Sequence, residues 1–229
     1  MGPQAFPESG CSTNVDEYGH ITLVRVHELL KLGYEGLDRD SCRTAEETDI
    51  SGDLADSIED VLDDGSQDWM DLFSVHNEAP VHAAKRKGKR RRRVDIRIDS
   101  ALRRPRTRFA FEAKRLGPRH DVGEYLGKDG LGRFLRGEYA RTEDTAGMLG
   151  YVQSEKPKDW AERIRRTLAE SPADYAIVPE RNWRRANLVE GLEHTYCSSH
   201  SRQTVNSPID IYHTLLDFSQ SASAKTKGD

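Results

Sequence analysis

The stretch "FAFEAKRL", residues 109–116, decides how the fold is read. Phe109, Phe111 and Ala113 alternate as an apolar set, so Ala110, Glu112 and Lys114 share the other side of a strand, where side chains repeat every two residues. Just upstream, "VDIRI" (94–98) has the same form, with Val94, Ile96 and Ile98 apolar and Asp95 turned the other way. If these two strands are neighbours, Asp95 meets Glu112 and Lys114. Two carboxylates held close together repel and are costly to bury unless a cation lies between them. Mg2+ suits such a pair, because it takes oxygen from one or two carboxylates and completes its shell with water and substrate phosphate. Lys114 beside it could orient a water or stabilise developing negative charge. The competing reading is a salt bridge on a solvated edge strand.

Working outward, "HITLVRVHELLKLG" (20–33) predicts a helix ended by Gly33. The segment 44–65 predicts another, with Ile50, Leu54, Ile58 and Val61 as one stripe and Gly65 after its end. Residues 71–78 predict a strand ahead of the two strands at 94–98 and 108–114. Residues 129–155 are expected to be mostly helical in two pieces, with Gly147 and Gly150 allowing close packing. The segment 156–170 predicts a helix with Trp160, Ile164 and Leu168 on one face. "DYAIVP" (174–179), "LEHTYCSSH" (192–200) and "IDIYHTLLDF" (209–218) are expected to be strands. The class is α/β with a mixed central sheet.

An aspartate in one strand followed by Glu-x-Lys in the next, here Asp95 and then Glu112-Ala113-Lys114 with Ile96, Phe109 and Phe111 around them, resembles the PD-(D/E)XK nuclease superfamily. Val94 stands where a proline is usually written before the aspartate. The resemblance covers residues 45–180. It implies a restriction-endonuclease-like core in the order α-β-β-β-α-β, as which residues 44–179 can be read, flanked by helices and followed by extra C-terminal strands. It also implies Mg2+-dependent hydrolysis of nucleic-acid phosphodiesters, with Mn2+ able to substitute. Asp95 and Glu112 would hold the metal and Lys114 would be the catalytic lysine. The superfamily often adds an acid from the first helix, and Glu47 fits as a third metal ligand. Thr44-Ala-Glu-Glu47 also reads as a capping box, in which Glu47 bonds back to the Thr44 amide. Some relatives carry Gln and Tyr after the Glu-x-Lys strand, which makes Tyr151 and Gln153 accessory candidates, with core packing as the other account of Tyr151.

Charge points the same way. Residues 1–80 carry 4 Lys/Arg against 19 Asp/Glu, while residues 85–119 carry 16 against 3. The run Lys85, Arg86, Lys87, Lys89, Arg90, Arg91, Arg92 and Arg93 leads straight into the Asp95 strand, and Arg97, Arg103, Arg104, Arg106, Arg108 and Arg115 continue it. Such a segment neutralises phosphates and releases counterions, which gives salt-sensitive, sequence-independent binding. A solvated charge run or a localisation signal is the plainer account. The expected partner is nucleic acid, most simply DNA. Relatives of this size often serve as effector or restriction subunits in bacterial defence against phage, and the resemblance extends that role here. The alternative is a non-catalytic nucleic-acid-binding subunit of a larger complex. With no helicase, ATPase or sequence-reading segment recognised, targeting or activation is expected from a protein partner or homo-oligomer.

Hydrophobic residues make up 35% of the 229 and charged residues 32%, which suits one domain with a modest core. No apolar run nears the roughly 20 residues of a membrane span, and "MGPQAFPESG" lacks the pattern of a signal peptide. Cys11, Cys42 and Cys197 are odd in number and widely spaced, so a reduced, cytoplasmic protein without membrane association is expected. His194, Cys197 and His200 could suggest zinc, but alternation along a strand splits them between faces. Residues 1–15 and 219–229 are expected to be disordered, with one nuclease-like domain over 16–218.

Overall fold

The computed structural model describes residues 17–81, 92–202 and 204–219. The expectations for residues 1–15, for the tail beyond Ser219, and for Lys85, Arg86, Lys87, Lys89, Arg90 and Arg91 lie outside the described residues. Helix α1 (Glu17–Gly36) is followed by the short α2 (Arg39–Cys42) and by α3 (Glu47–Asp64). Strands β1 (Phe73–Pro80), β2 (Arg93–Ser100) and β3 (Thr107–Leu116) come next, then short helices α4 (Val122–Leu126) and α5 (Gly132–Leu135). Strand β4 (Thr145–Val152), helix α6 (Pro157–Glu170) and strands β5 (Arg184–Arg185), β6 (Thr195–His200) and β7 (Ile209–Asp217) complete the order.

All seven strands join one mixed sheet in the order β1-β2-β3-β4-β7-β6-β5. β1, β2 and β3 form an antiparallel meander, whereas β4 runs parallel to both β3 and β7. Two apolar clusters cover the sheet. One joins Val26, Leu30, Ile50, Leu54 and Ile58 of α1 and α3 to Ile96, Phe109, Phe111, Leu149 and Tyr151. The other joins Tyr125, Phe134, Trp160 and Ile164 of α4, α5 and α6 to Ala110, Leu116, Met148 and Val152. Alternate strand residues therefore feed opposite layers, as the pleat requires. The α/β class and the mixed sheet flanked by helices stand. No helix among the described residues is long and apolar enough to cross a membrane.

Several elements differ from expectation. α1 does not stop at Gly33, which is buried where α1 crosses α3. A Cβ there would come within 2.4 Å of Ile58 Cγ1, so the glycine serves close packing rather than termination. Residues 129–155 are not two helices: α5 spans four residues, and 145–152 is the strand β4. "TAGMLGYV" is buried on both faces, and a central parallel strand reads as a continuous apolar run with no alternation to distinguish it from a buried helix. Residues 174–179 form turns instead of a strand, with Ile177 alone bridging His200 and Ala176 at φ 48° breaking extended geometry. The strand that follows the meander is therefore β4. Cys42 is a buried free thiol.

Candidate active site

The site begins where the sheet opens. The β2–β3 ladder ends at the Ile96–Phe111 pair, although β3 runs on to Leu116. Beyond Phe111 the amides of Ala113 and Arg115 would turn toward a β2 that is no longer in register, and unpaired backbone donors are costly to bury. Two carboxylates take the place of the missing strand. Asp95 Oδ2 accepts from Ala113 N at 2.7 Å, and Glu47 Oε2 accepts from Arg115 N at 3.2 Å.

A backbone irregularity puts Asp95 there. β1 pairs with β2 at Asn77–Ile96 and at Ala79–Val94, and between these pairs Glu78 adopts φ 45°, a left-handed value that costs energy for a residue with a side chain. Across this point the apolar residues change layer. Ile96 and Ile98 pack with α1 and α3, but Val94 packs with α4, α5 and α6. The expectation that Val94, Ile96 and Ile98 form one face is therefore corrected, because strict alternation fails at Asp95.

Lys114 ties the acids together. Its Nζ donates to Glu47 Oε1 at 2.7 Å, Glu112 Oε1 at 3.1 Å and Ala113 O at 2.6 Å, which uses all three of its N–H groups. Glu47 does not close a capping box. It is the first residue of α3, Glu46 is the N-cap without a side-chain cap bond, and the Glu47 carboxylate spans to β3 instead. Gln153 fixes the approach to α3, its Nε2 donating to the carbonyls of Cys42 and Ala45, both at 2.9 Å. Tyr151 is wholly buried and shares a 2.9 Å hydrogen bond with Ser51 of α3, so it packs in the core.

Burial sets the electrostatics. The Glu112 side chain is only 4% exposed, and its Oε2 is buried with no hydrogen-bond partner. Burial first, and then the neighbouring Asp95 carboxylate, push the Glu112 carboxyl up to about 8, against the pull of Lys114 and Arg133. Asp95 is raised as well, again by burial, with the Ala113 amide and Lys114 opposing. Burial alone would lower the Lys114 ammonium, but Glu112 and Glu47 outweigh it and hold it above its usual range.

The basic candidates separate along the hairpin. Arg92 and Arg93 stand at the start of β2, close to Asp95, and pair with Glu138 and Glu78. Arg104 is exposed in the turn after β2, at the far end of the strand from Asp95. Five residues at about 3.3 Å each separate Asp95 from Ser100, so Arg104 does not belong to the same patch. Arg97 is held by Asp99 through bonds of 2.7 and 3.2 Å. Arg115 Nη2 pairs with Glu46 at 2.7 Å and so braces the start of α3. Sequence alternation could not separate these roles, because it shows the side of a strand but not its end or its ion-pair partners. His200 is buried, bonding to Ser198 Oγ at 2.7 Å and to the Tyr175 carbonyl at 2.7 Å.

Arg133 escaped the sequence reading. It stands in α5, and its Nε lies 3.7 Å from Glu112 Oε1. The glycines around it, at 127, 130, 132 and 137, were the available sign that this segment turns back toward the sheet. No family model matches the chain, and no curated protein or solved structure matches it either.

Proposed function

We propose that the protein is a Mg2+-dependent nuclease of the PD-(D/E)XK type, acting on DNA in a bacterial defence or restriction system. The observation that carries this reading is the opening between β2 and β3, where Asp95 and Glu47 replace the ladder and Lys114 joins Glu47 to Glu112. The order α3-β1-β2-β3, then short helices, then β4 parallel to β3, agrees with the α-β-β-β-α-β core of that superfamily. β6 and β7 are the extra C-terminal strands.

The donor chemistry fits a hard divalent cation. Asp95 and Glu112 supply carboxylate oxygens, and the orphaned Glu112 Oε2 is a buried acceptor without a proton donor. Glu47 is the third candidate. When bound, Mg2+ would supply Lewis-acid charge to phosphate oxygens. Asp95 and Glu112 would hold it, and its charge would oppose the burial that raises both carboxyls. Lys114 would exchange one of its three acceptors for the substrate and stabilise charge that develops on the phosphate. Gln153 would keep Glu47 in place through the Cys42 and Ala45 carbonyls. The basic segment that enters β2 would carry the polynucleotide backbone to Asp95.

One observation favours a second reading, a nucleic-acid-binding subunit that does not cut. Among the described residues, no group of three or more His, Cys, Asp and Glu side chains is arranged to hold a metal, and every N–H of Lys114 is engaged. Incubation of the pure protein with plasmid, linear duplex, single-stranded DNA and RNA, each with Mg2+, Mn2+ or EDTA, separates the two readings. The nuclease reading expects metal-dependent cleavage that Asp95→Ala, Glu112→Ala and Lys114→Ala each reduce by orders of magnitude. Salt-sensitive binding without cleavage under every condition, or full cleavage by Glu112→Ala, rejects it.

A further inference from the structure

Arg133 is built into the site more firmly than a surface ion pair requires. Its Nε donates to the Asp129 carbonyl at 3.2 Å, Nη2 to Asp129 Oδ1 at 3.2 Å, and Nη1 to Tyr139 Oη at 2.8 Å. The guanidinium carbon also lies 5.3 Å from the centre of the Tyr139 ring. Tyr139 is buried and fixed in turn, because its hydroxyl donates to the carbonyl of Arg93, two residues before Asp95.

A guanidinium has five N–H groups in a rigid fork, and these contacts use three of them. Among the described residues the other two have no hydrogen-bond partner, and the side chain is 22% exposed. The 3.7 Å approach to Glu112 Oε1 is too long for a hydrogen bond. Arg133 thus brings a permanent charge beside Glu112 and keeps two N–H groups, on Nη1 and Nη2, without an acceptor, whereas each N–H of Lys114 already has one.

We propose that Arg133 is a further catalytic residue that donates to a non-bridging oxygen of the phosphate being cleaved, with Tyr139 as its positioning residue. This rests on the nuclease reading. In hydrolysis a water oxygen bonds to phosphorus while the bond from phosphorus to the leaving sugar oxygen breaks. The water gives up a proton and the leaving oxygen gains one, and negative charge gathers on the non-bridging oxygens as this happens. Arg133 exchanges no proton. It meets that charge with donors already in place, which is where fixed hydrogen bonds accelerate a reaction most.

The test compares the full chain with Arg133→Gln, Arg133→Lys, Tyr139→Phe and Lys114→Ala, using duplex DNA and Mg2+. Arg133→Gln should lower kcat by about 100-fold, the loss typical of one such donor. KM should stay within about threefold, since contacts along the polynucleotide backbone would supply most of the substrate's affinity. Arg133→Lys should recover part of kcat through its charge, and Tyr139→Phe should lower kcat less than Arg133→Gln. Inhibition of cleavage by inorganic phosphate should weaken in Arg133→Gln. Wild-type kcat and phosphate inhibition in Arg133→Gln would overturn the proposal. So would equal losses in the Gln and Lys variants accompanied by lower unfolding midpoints, because that pattern marks a purely structural role. If the wild type cleaves and Lys114→Ala does not while Arg133→Gln matches the wild type, this inference alone fails. If wild type and Lys114→Ala are alike, the nuclease reading fails and takes this inference with it.

Discussion

Glu112 is the residue on which the site's chemistry turns. Its carboxyl sits at about 8 rather than 4.5, because burial and the Asp95 carboxylate disfavour its charge. The folded chain therefore keeps a proton at Glu112 that the unfolded chain has given up, and stability depends on pH in consequence. This contribution is full below about pH 4.5 and is lost as pH rises toward about 8. Metal-free protein should show an unfolding midpoint that falls across this window, with Asp95 adding in the same direction. Glu112→Gln should flatten the fall. Mg2+ added at pH 8 should restore the lost stability in the wild type, and EDTA should remove it again. Thermal unfolding over a pH series, with and without Mg2+, checks both points, and a midpoint indifferent to Mg2+ at pH 8 would count against Asp95 and Glu112 as metal ligands. Lys114 belongs to the same balance. Lys114→Ala leaves Glu47 and Glu112 without their shared cation, and removing one partner of a buried pair costs about 3–5 kcal/mol. Activity assays of that variant therefore need the metal present during folding.

At the scale of elements, β3 and its neighbours do the positioning. β4 carries glycine opposite Phe111, and a Cβ at Gly147 would come within 2.2 Å of the Phe111 ring. The ring belongs to the strand that presents Glu112, so packing on one side of the sheet sets the height of the carboxylate on the other. Gly147→Val should cost at least the 1–3 kcal/mol typical of overpacking, and should reduce cleavage in the fraction that still folds. Denaturant unfolding measures the first and single-turnover cleavage the second. An unchanged midpoint would mean that β4 can shift to make room for the added side chain. Gly33 plays the matching part between α1 and α3, where the stripe Ile50, Leu54 and Ile58 seats the helix that brings Glu47 to Lys114. That stripe was legible from its spacing of four. The strand identity of 145–152 was not, because burial on both faces leaves no period to read.

For the whole molecule, the decisive feature is where charge lies relative to the sheet. Arg92 and Arg93 enter β2 at the end that carries Asp95, whereas the arginines of the turn after β2 stand at the opposite end. Replacing Lys85, Arg86, Lys87, Lys89, Arg90 and Arg91 by alanine should weaken nucleic-acid binding equally for all sequences and flatten its salt dependence. Alanine at Arg103, Arg104 and Arg106 should do so far less. A salt titration of binding for the two variants decides between them, and equal slopes would place the polynucleotide along the full length of the hairpin. The acids of α3 at Asp53, Asp56, Glu59, Asp60, Asp63 and Asp64 face solvent, so they shape the field around the protein without closing the site.

The sequence by itself determined the strands that carry Asp95 and Glu112-Ala113-Lys114, the apolar stripe of α3, the amphipathic face of α6 and the segregation of charge. Each of these is a local regularity: period two in a strand, period near four in a helix, or a count along the chain. Only the tertiary structure decided that Val94 leaves the face of Ile96, that Glu47 reaches Lys114 instead of capping its helix, and that Arg133 stands beside Glu112. These depend on where a ladder ends and on which distant groups fill the opening. Unpaired amides and buried carboxylates must find partners in space, and those partners lie up to 68 residues apart in the chain, as between Glu47 and Arg115.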